Sequence, residues 1–262
     1  MRTLSQLKED LYVRIDKDWF NDETSYIKKY GHTALLIYSY LQRGITNRGE
    51  LYFSVDNIAE YLHINSKNFK SRQNIIGIIN RFHRDELFKL NKTVDKHDTM
   101  FTAKDIKQFD SFVMLYDFEI DTIVMSNMNI DVSKLLTVFL YIKSCINYEL
   151  KYCYPSIETI SKMTSINSDK SIIKYINLLK NLGLILYKNV GLIKYDKENL
   201  KYEKNVYVMN YEGHEDILND YIEKKESEIR EKESKIVNSK NANSKRSESM
   251  KLYWAKKKLG IN

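Results

Sequence analysis

The sequence predicts a mostly α-helical α+β protein with small β wings, built from two similar domains and a charged helical tail. Three observations predict it. A segment of the chain recurs, and near the C-terminal end a negatively charged stretch is followed by a positively charged one. The chain also has one proline and eight glycines, which are too few for the many turns of an all-β sandwich or barrel. With 262 residues, the chain is long enough for one large domain or two small ones. The predicted domains are residues 1–110, 111–213 and 214–262.

The internal repeat is the most informative feature. Ser54–Ser66 reappears as Ser156–Ser168, with every position displaced by 102 residues and no gap. Both serines at the ends, two isoleucines and an asparagine are identical, and several other positions differ conservatively. Two copies cannot form a solenoid, so the repeat indicates two similar domains in tandem.

Each copy is predicted to contain the same elements in the same order. In the first copy, a buried helix at 32–42 leads to an extended piece at 51–53, and Ser54 caps a short amphipathic helix at 55–62. A turn at 64–66 follows, and its isoleucine is expected to enter the core. The corresponding segments of the second copy are 133–146, 152–154, Ser156, 157–163 and 166–168.

A third helix is predicted at 67–84 in the first copy and at 169–182 in the second. Its apolar residues follow helical spacing and are expected to face the core: Phe69, Ile75, Ile76, Ile79 and Phe82, and then Ile172, Ile173, Ile176, Leu179 and Leu182. Extended segments suited to a hairpin come next, at 87–90 and 100–102, and at 184–187 and 206–209 with a turn near Gly191. This is the order of a winged helix-turn-helix domain, whose last helix enters the major groove of DNA.

Two segments of the second copy carry a family resemblance. Tyr154–Ser161 is similar to a P-S-x-x-x-[IL]-[AS] helix entry, and Ser171–Ile185 is similar to an x-x-L-x-x-x-G-[LI]-[IL] helix exit. With Phe112–Phe118, which resembles a strand that opens a second domain, these residues resemble the tandem winged-helix replication initiators of plasmids and the replisome-organiser modules of Gram-positive phages. The resemblance implies two winged-helix domains and a role in replication. The first copy departs from it, with Arg84–Glu86 in place of the glycine exit.

The start of the third helix in the first copy supplies candidate DNA contacts. Arginine, asparagine and glutamine can bond base edges bidentately, whereas lysine and serine commonly contact phosphates. Between Asn65 and Arg84 there are five basic residues and no acid, which favours DNA contact over an ordinary solvated face. The candidates are Lys67, Asn68, Lys70, Ser71, Arg72, Gln73 and Asn74.

The second copy offers a less basic set of candidates. Asp169 lies among them, and it can equally serve as an acid that favours the helix N-terminus. Two wing lysines can reach a flanking phosphate, although polar residues are common in any turn. The candidates are Ser168, Lys170, Ser171 and Lys174 in the helix, and Lys188 and Lys194 in the wing.

The positive charge is concentrated at the end of the chain. The net charge is +3 for residues 1–110, +1 for 111–213, −3 for 214–238 and +6 for 239–262. Residues 214–238 are predicted to form an exposed helix, followed by a flexible polar linker at 238–249. The basic segment 250–259 can bind phosphates or a partner, and simple disorder is an equal alternative.

Signatures of enzymes and of membrane proteins are missing from the sequence. The five histidines have no metal-binding spacing, no glycine-rich phosphate loop is present, and no run of apolar residues is long enough for a membrane span. Cys145 and Cys153 are interpreted as reduced core residues of a cytoplasmic protein. Tyrosines such as Tyr38, Tyr40 and Tyr141 fit core packing better than base stacking.

The expected function is sequence-specific binding of double-stranded DNA, without catalysis, metal or cofactor. Replication initiation or organisation for a plasmid or phage is the first hypothesis, with host replication proteins as partners and a homodimer as a further option. A transcriptional regulator of a mobile element would use the same surfaces. The third hypothesis is a winged-helix module that binds protein and not DNA, which the near-neutral second domain allows.

Overall fold

A computed structural model of the chain describes residues 2–23, 25–64, 69–97, 99–107, 109–126, 130–189, 192–196, 199–202 and 205–258. Side chains are described over the same residues, apart from those of 4, 192–196, 199–202, 229, 232–245 and 252–258.

The first half contains the three helices and the three short strands predicted for the first copy, preceded by further elements. Its helices are α1 (Leu4–Glu9), α2 (Tyr26–Tyr30), α3 (His32–Arg43), α4 (Val55–Tyr61) and α5 (Phe69–Arg84), with a 3₁₀ helix at Lys17–Phe20. Its strands are β1 (Tyr12–Asp16), β2 (Leu51–Phe53), β3 (Lys89–Leu90) and β4 (Phe101–Lys104).

After its first strand and first helix, the second half repeats the order of elements from α3 to β4, with two further strands inserted. Its helices are α6 (Asp117–Val124), α7 (Val132–Cys145), α8 (Ile157–Thr164) and α9 (Asp169–Asn181). Its strands are β5 (Phe112–Tyr116), β6 (Tyr152–Cys153), β7 (Ile185–Asn189), β8 (Leu192–Asp196), β9 (Asn199–Tyr202) and β10 (Asn205–Met209). The chain continues as α10 (His214–Lys258).

Serine caps begin the helix that precedes the turn in each half, α4 and α8, as the sequence predicted. The Ser54 hydroxyl accepts the Asn57 backbone N–H at 3.1 Å, and the Ser156 hydroxyl accepts that of Thr159 at the same distance. Such caps satisfy a donor that the first turn of a helix leaves unpaired, so they fix where the helix starts.

Each half forms a three-stranded antiparallel sheet with the same strand order. The order is β2–β4–β3 in the first half and β6–β10–β7 in the second, so the last strand lies in the middle in both. The second half differs because β8 and β9 form an additional two-stranded ribbon between β7 and β10. The sequence prediction placed only a turn there.

The two halves are joined through an additional two-stranded ribbon and through the packing of α3 against α7. β1 pairs antiparallel with β5, from Tyr12 opposite Tyr116 to Asp16 opposite Phe112. α3 packs against α7, and most of the buried apolar residues of both halves form one continuous hydrophobic cluster. The pairing of β1 with β5 therefore joins the two predicted domains, 1–110 and 111–213. The boundary between them remains a prediction.

The cysteines and tyrosines lie where core packing places them. Cys145 and Cys153 are free thiols, the first half-buried and the second buried. Tyr38 and Tyr141 are buried, and Tyr40 is half-buried against the same cluster.

The C-terminal segment corrects one prediction. α10 runs without interruption through residues 238–249, where a flexible linker was expected. The sequence from 214 to 258 contains no glycine or proline, so nothing in its backbone chemistry ends the helix. The helix is anchored at its start, where Leu218 is buried against Val206 and Val208 of β10. Within the described residues, no helix is both long and apolar enough to cross a membrane.

Candidate nucleic-acid interface

The third helices α5 and α9 bury corresponding stripes. Ile75, Ile76 and Ile79 of α5 are buried, and so are Tyr175, Ile176 and Leu179 of α9. These residues match one to one along the two helices. The same core contacts therefore orient both helices and decide which side chains point outward.

The outward face of each helix follows from this register. Position by position, the two faces pair Lys70 with Lys170, Gln73 with Ile173, Asn74 with Lys174 and Gly77 with Asn177, and all eight residues are exposed. The register differs by two residues from that of the sequence repeat at Ser54–Ser66. Since two residues turn a helix by about 200°, the repeat alone would have matched outward positions with buried ones.

The predicted contacts in α5 fall into three groups. Lys67 and Asn68 lie outside the described residues. Lys70, Gln73 and Asn74 are exposed on the outward face, and Ser71 is half-buried. The sequence of α5 has no acidic residue, so no carboxylate of its own opposes a phosphate backbone there.

Arg72 is held by an ion pair on the flank of α5. Its Nε donates to Oδ1 of Asp56, in α4, at 2.9 Å, and Nδ1 of His97 lies 3.0 Å from the other carboxylate oxygen. The hydrogen bond with His97, followed by the charge of Arg72, lowers the pKa of Asp56. Arg72 thus fastens α5 to α4, which sequence reasoning, assigning it to DNA, did not foresee.

The predicted contacts in α9 divide similarly. The Ser168 hydroxyl caps the helix by accepting the Ser171 backbone N–H at 3.3 Å, and both residues are half-buried. Lys170 and Lys174 are exposed on the outward face. Asp169 lies in the first turn, where a carboxylate favours the helix N-terminus.

The two wing lysines lie on different strands. Lys188 is on β7, and its Nζ donates to Oδ1 of Asn219 in α10 at 2.5 Å, so it ties the wing sheet to the C-terminal helix. Lys194 is on β8, and its side chain lies outside the described residues.

An open cleft of about 620 Å³ borders the inner flank of α5. Ser71 and Asn74 line one side, and Asp131, the N-cap of α7, lines the other. Although burial opposes ionisation, hydrogen bonds from the Ser133 hydroxyl and the Lys134 backbone lower the pKa of Asp131. Among the described residues that line the cleft, Asp131 is the one with a carboxylate.

Comparison with known protein families finds a match for part of the second half. Residues 133–185 match the family model of a helix-turn-helix domain. The match spans α7, β6, α8, α9 and the first residue of β7. Neither the comparison with curated proteins nor that with solved structures found a match.

In a helix-turn-helix domain, α8 and α9 are the two helices that flank the turn. Helices in the position of α9 place side chains against base edges, whereas the preceding helix crosses the backbone. The outward residues of α9 are therefore the candidates for contact with DNA. Within the described residues, no group of three or more His, Cys, Asp or Glu side chains is arranged to hold a metal ion.

Two residues predicted to face the core are instead exposed. Phe69 is 70% exposed and Ile173 is 47% exposed. Phe69 lies about two turns before Ile76, at the end of α5 that the core does not cover, and Ile173 lies between outward Lys170 and Asn177. Hydrophobic spacing counted both as core because it does not register how far the core extends. The exposed positions of Lys170, Lys174 and Asn177 on the same helix indicate that Ile173 lies on the outward face.

Proposed function

We infer that the chain is a non-enzymatic protein that binds double-stranded DNA at specific sequences through two winged helix-turn-helix domains. One observation carries this proposal: the matched helix-turn-helix segment at residues 133–185 has the same order of helices, and its sheet the same strand order, as residues 32–104. A single helix-turn-helix pattern arises easily by chance. Two copies with corresponding buried stripes are a stronger argument for a shared task.

α5 and α9 are the proposed reading elements. Gln73 and Asn74 are exposed amides, and amide side chains can pair with the N6 and N7 edge of adenine in the major groove. Lys70, Lys170 and Lys174 supply positive charge for phosphates, which contributes affinity without sequence information. Exposure of these five side chains is what such contacts require.

The proposed biological role is replication initiation or organisation for a plasmid or phage. The motifs at Tyr154–Ser161 and Ser171–Ile185 support it, since they resemble those of tandem winged-helix initiators. In this role the bound protein positions host replication proteins on the origin. Beyond the anchored first turns, the described side chains of α10 are mostly exposed and many are charged, which suits contact with such a partner.

Binding to duplex DNA from upstream of its own gene, measured across a salt series, tests the function. We expect tight binding to this duplex, weaker binding to a scrambled duplex, and a steep loss of affinity with salt. The combined Lys70→Ala, Gln73→Ala and Asn74→Ala variant should lose most of the sequence preference, and removing Lys70 should flatten the salt slope. Lys8→Ala, an exposed lysine of α1, is the charge-matched control and should bind normally.

Four outcomes would count against parts of the proposal. Equal affinity of the combined variant and the parent would exclude α5 as a reader. No duplex binding even at low salt would favour a module that binds protein. Failure of the gene to sustain a plasmid that lacks its own initiator, together with normal duplex binding, would favour transcriptional regulation. Nicking of supercoiled DNA in the presence of Mg²⁺ would contradict a non-enzymatic role.

A further inference from the structure

Large exposed apolar side chains are distributed unevenly over the helices. Among the described helical residues, the large apolar side chains that are exposed are Phe69, Ile173 and Met250. The others lie on strands, turns and loops. Among the described helices that precede α10, exposed apolar side chains of this size thus occur on α5 and α9 alone. These are the two helices proposed to read DNA.

Their positions place both side chains beside polar groups suited to DNA. Ile173 occupies in α9 the position that Gln73 occupies in α5, and Lys170 and Lys174 flank it. Phe69 lies one turn before Gln73 and next to Lys70. A helix that carries such residues into a major groove presents hydrocarbon to base edges while its lysines reach phosphates.

The major groove offers hydrocarbon at one base. Thymine carries a 5-methyl group there, and apolar side chains contact it, whereas the other bases present hydrogen-bonding groups. Amides such as those of Gln73 and Asn74 pair with adenine, the partner of thymine. Both kinds of contact therefore select A·T pairs.

Composition gives independent support. Lysine, isoleucine, asparagine and tyrosine together make up 105 of the 262 residues, and their codons are rich in A and T. The coding DNA of this protein, and by extension the DNA around it, is therefore rich in A·T pairs.

We propose that Phe69 and Ile173 are specificity-determining residues that contact thymine methyl groups in the major groove, so that the protein selects A·T-rich duplexes. The proposal rests on the proposed DNA-binding function. It adds a contact made by apolar side chains to the polar contacts described above.

The test removes the methyl groups and leaves the base pairing intact. Duplexes selected by the protein from a random library are resynthesised with deoxyuridine in place of thymidine. Burial of one methyl group corresponds to about a fourfold change in affinity, so the parent should bind the uracil duplex about fourfold more weakly for each methyl contacted. The variants Phe69→Ala and Ile173→Ala should each bind the thymine duplex more weakly and show a smaller thymine-to-uracil difference.

Matched controls separate this contact from general effects. Leu11 is 75% exposed outside the third helices, so Leu11→Ala removes similar hydrocarbon and should keep the full thymine-to-uracil difference. Circular dichroism checks that each variant is folded. A parent that binds DNA sequence-specifically but treats uracil and thymine duplexes alike would overturn the inference and leave the proposed function standing. An equal thymine-to-uracil difference in the parent and in both variants would also overturn it. A parent that selects no duplex would overturn both proposals.

Discussion

The interior of the second half and the junction between the two halves each enclose a cation, and both cations bond to the same short helix. Inside the second half, Nζ of Lys143, in α7, donates to the two carboxylate oxygens of Glu119 at 2.5 and 2.6 Å. The Tyr211 hydroxyl donates to the same carboxylate at 2.6 Å. Glu119 is in α6, so this cluster holds α6 to α7.

At the junction, the cation is Arg43, the last residue of α3. Its guanidinium donates to Oδ1 of Asp121 at 2.8 Å and lies 3.1 Å from Oδ1 of Asp117. The Tyr61 hydroxyl also donates to Asp121, at 2.5 Å. Both carboxylates belong to α6, so this short helix connects α3 of the first half with α7 of the second.

The two clusters differ in their exposure to water. The side chains of Lys143 and Glu119 are 9% and 1% exposed, whereas those of Arg43 and Asp121 are 20% and 35% exposed. Burial lowers the pKa of Lys143, and the Glu119 charge opposes that effect. Loss of one partner should therefore destabilise the two clusters unequally. An ion left alone in the interior has no water to replace its partner, while one at the junction does.

The largest expected effect is that of Lys143→Met. The substitution leaves the Glu119 carboxylate buried without its cation, and breaking a buried pair in this way costs about 3–5 kcal/mol. Urea denaturation measures the loss. Lys134→Met, at a half-exposed pair with Asp131, is the control and should cost less than about 1 kcal/mol.

A double variant completes this test. In Lys143→Met with Glu119→Gln, both charges are absent and the amide oxygen can still accept from the Tyr211 hydroxyl, so most of the lost stability should return because no unpaired charge is left in the interior. If Lys143→Met costs no more than the Lys134 control, the cluster does not hold α6, and the contrast with the junction disappears.

The helices of the two sequence copies were predictable from sequence, whereas α6, the β8–β9 ribbon and these clusters were not. Ser54 and Ser156 mark helix starts, and apolar spacing predicts α3 and α7, because caps and periodicity act between residues a few positions apart. The pairing of β1 with β5, and the bonds from α6 to Arg43 and Lys143, join residues far apart in the chain. No local pattern encodes such pairings.

The candidate interface was predicted in part for the same reason. Its polar residues on α5 and α9 could be named from composition. Which of them point outward depends on the buried stripe, and so the ion pair of Arg72 and the exposure of Phe69 and Ile173 emerged only in three dimensions.

The intermediate effect is that of Arg43→Met at the junction. The hydrogen bonds lost involve charged groups, each worth about 1.5–3 kcal/mol, but water reaches the freed Asp117 and Asp121, so the expected cost is about 2 kcal/mol. Urea denaturation should give one transition in the parent. A loss equal to or greater than that of Lys143→Met would reverse the proposed order of the two regions, and a second transition would show that the halves had begun to unfold separately.

The smallest effect concerns pH at the same junction. Nδ1 of His32, in α3, lies 3.2 Å from the Thr137 hydroxyl of α7. Burial lowers the pKa of His32; the charge of Asp131 opposes this effect and that of Lys134 adds to it. The unfolded chain therefore binds a proton more readily than the folded one, so the contribution of His32 to stability is present above pH 6.5 and is lost as the pH falls towards its folded-state pKa.

Urea midpoints measured from pH 7.5 to 5 should show this dependence as the difference between the parent and His32→Gln, whose amide keeps a hydrogen-bonding group near Thr137 but does not titrate. Taking the difference removes the contribution of His214, whose pKa burial also lowers, and that of Asp16, whose pKa burial raises. The parent should lose more stability than the variant over this range, by less than Arg43→Met costs at pH 7.5. Parallel curves would mean that His32 takes up its proton equally well in the folded protein, which requires water to reach the α3–α7 contact and the junction to be more open than its buried residues indicate.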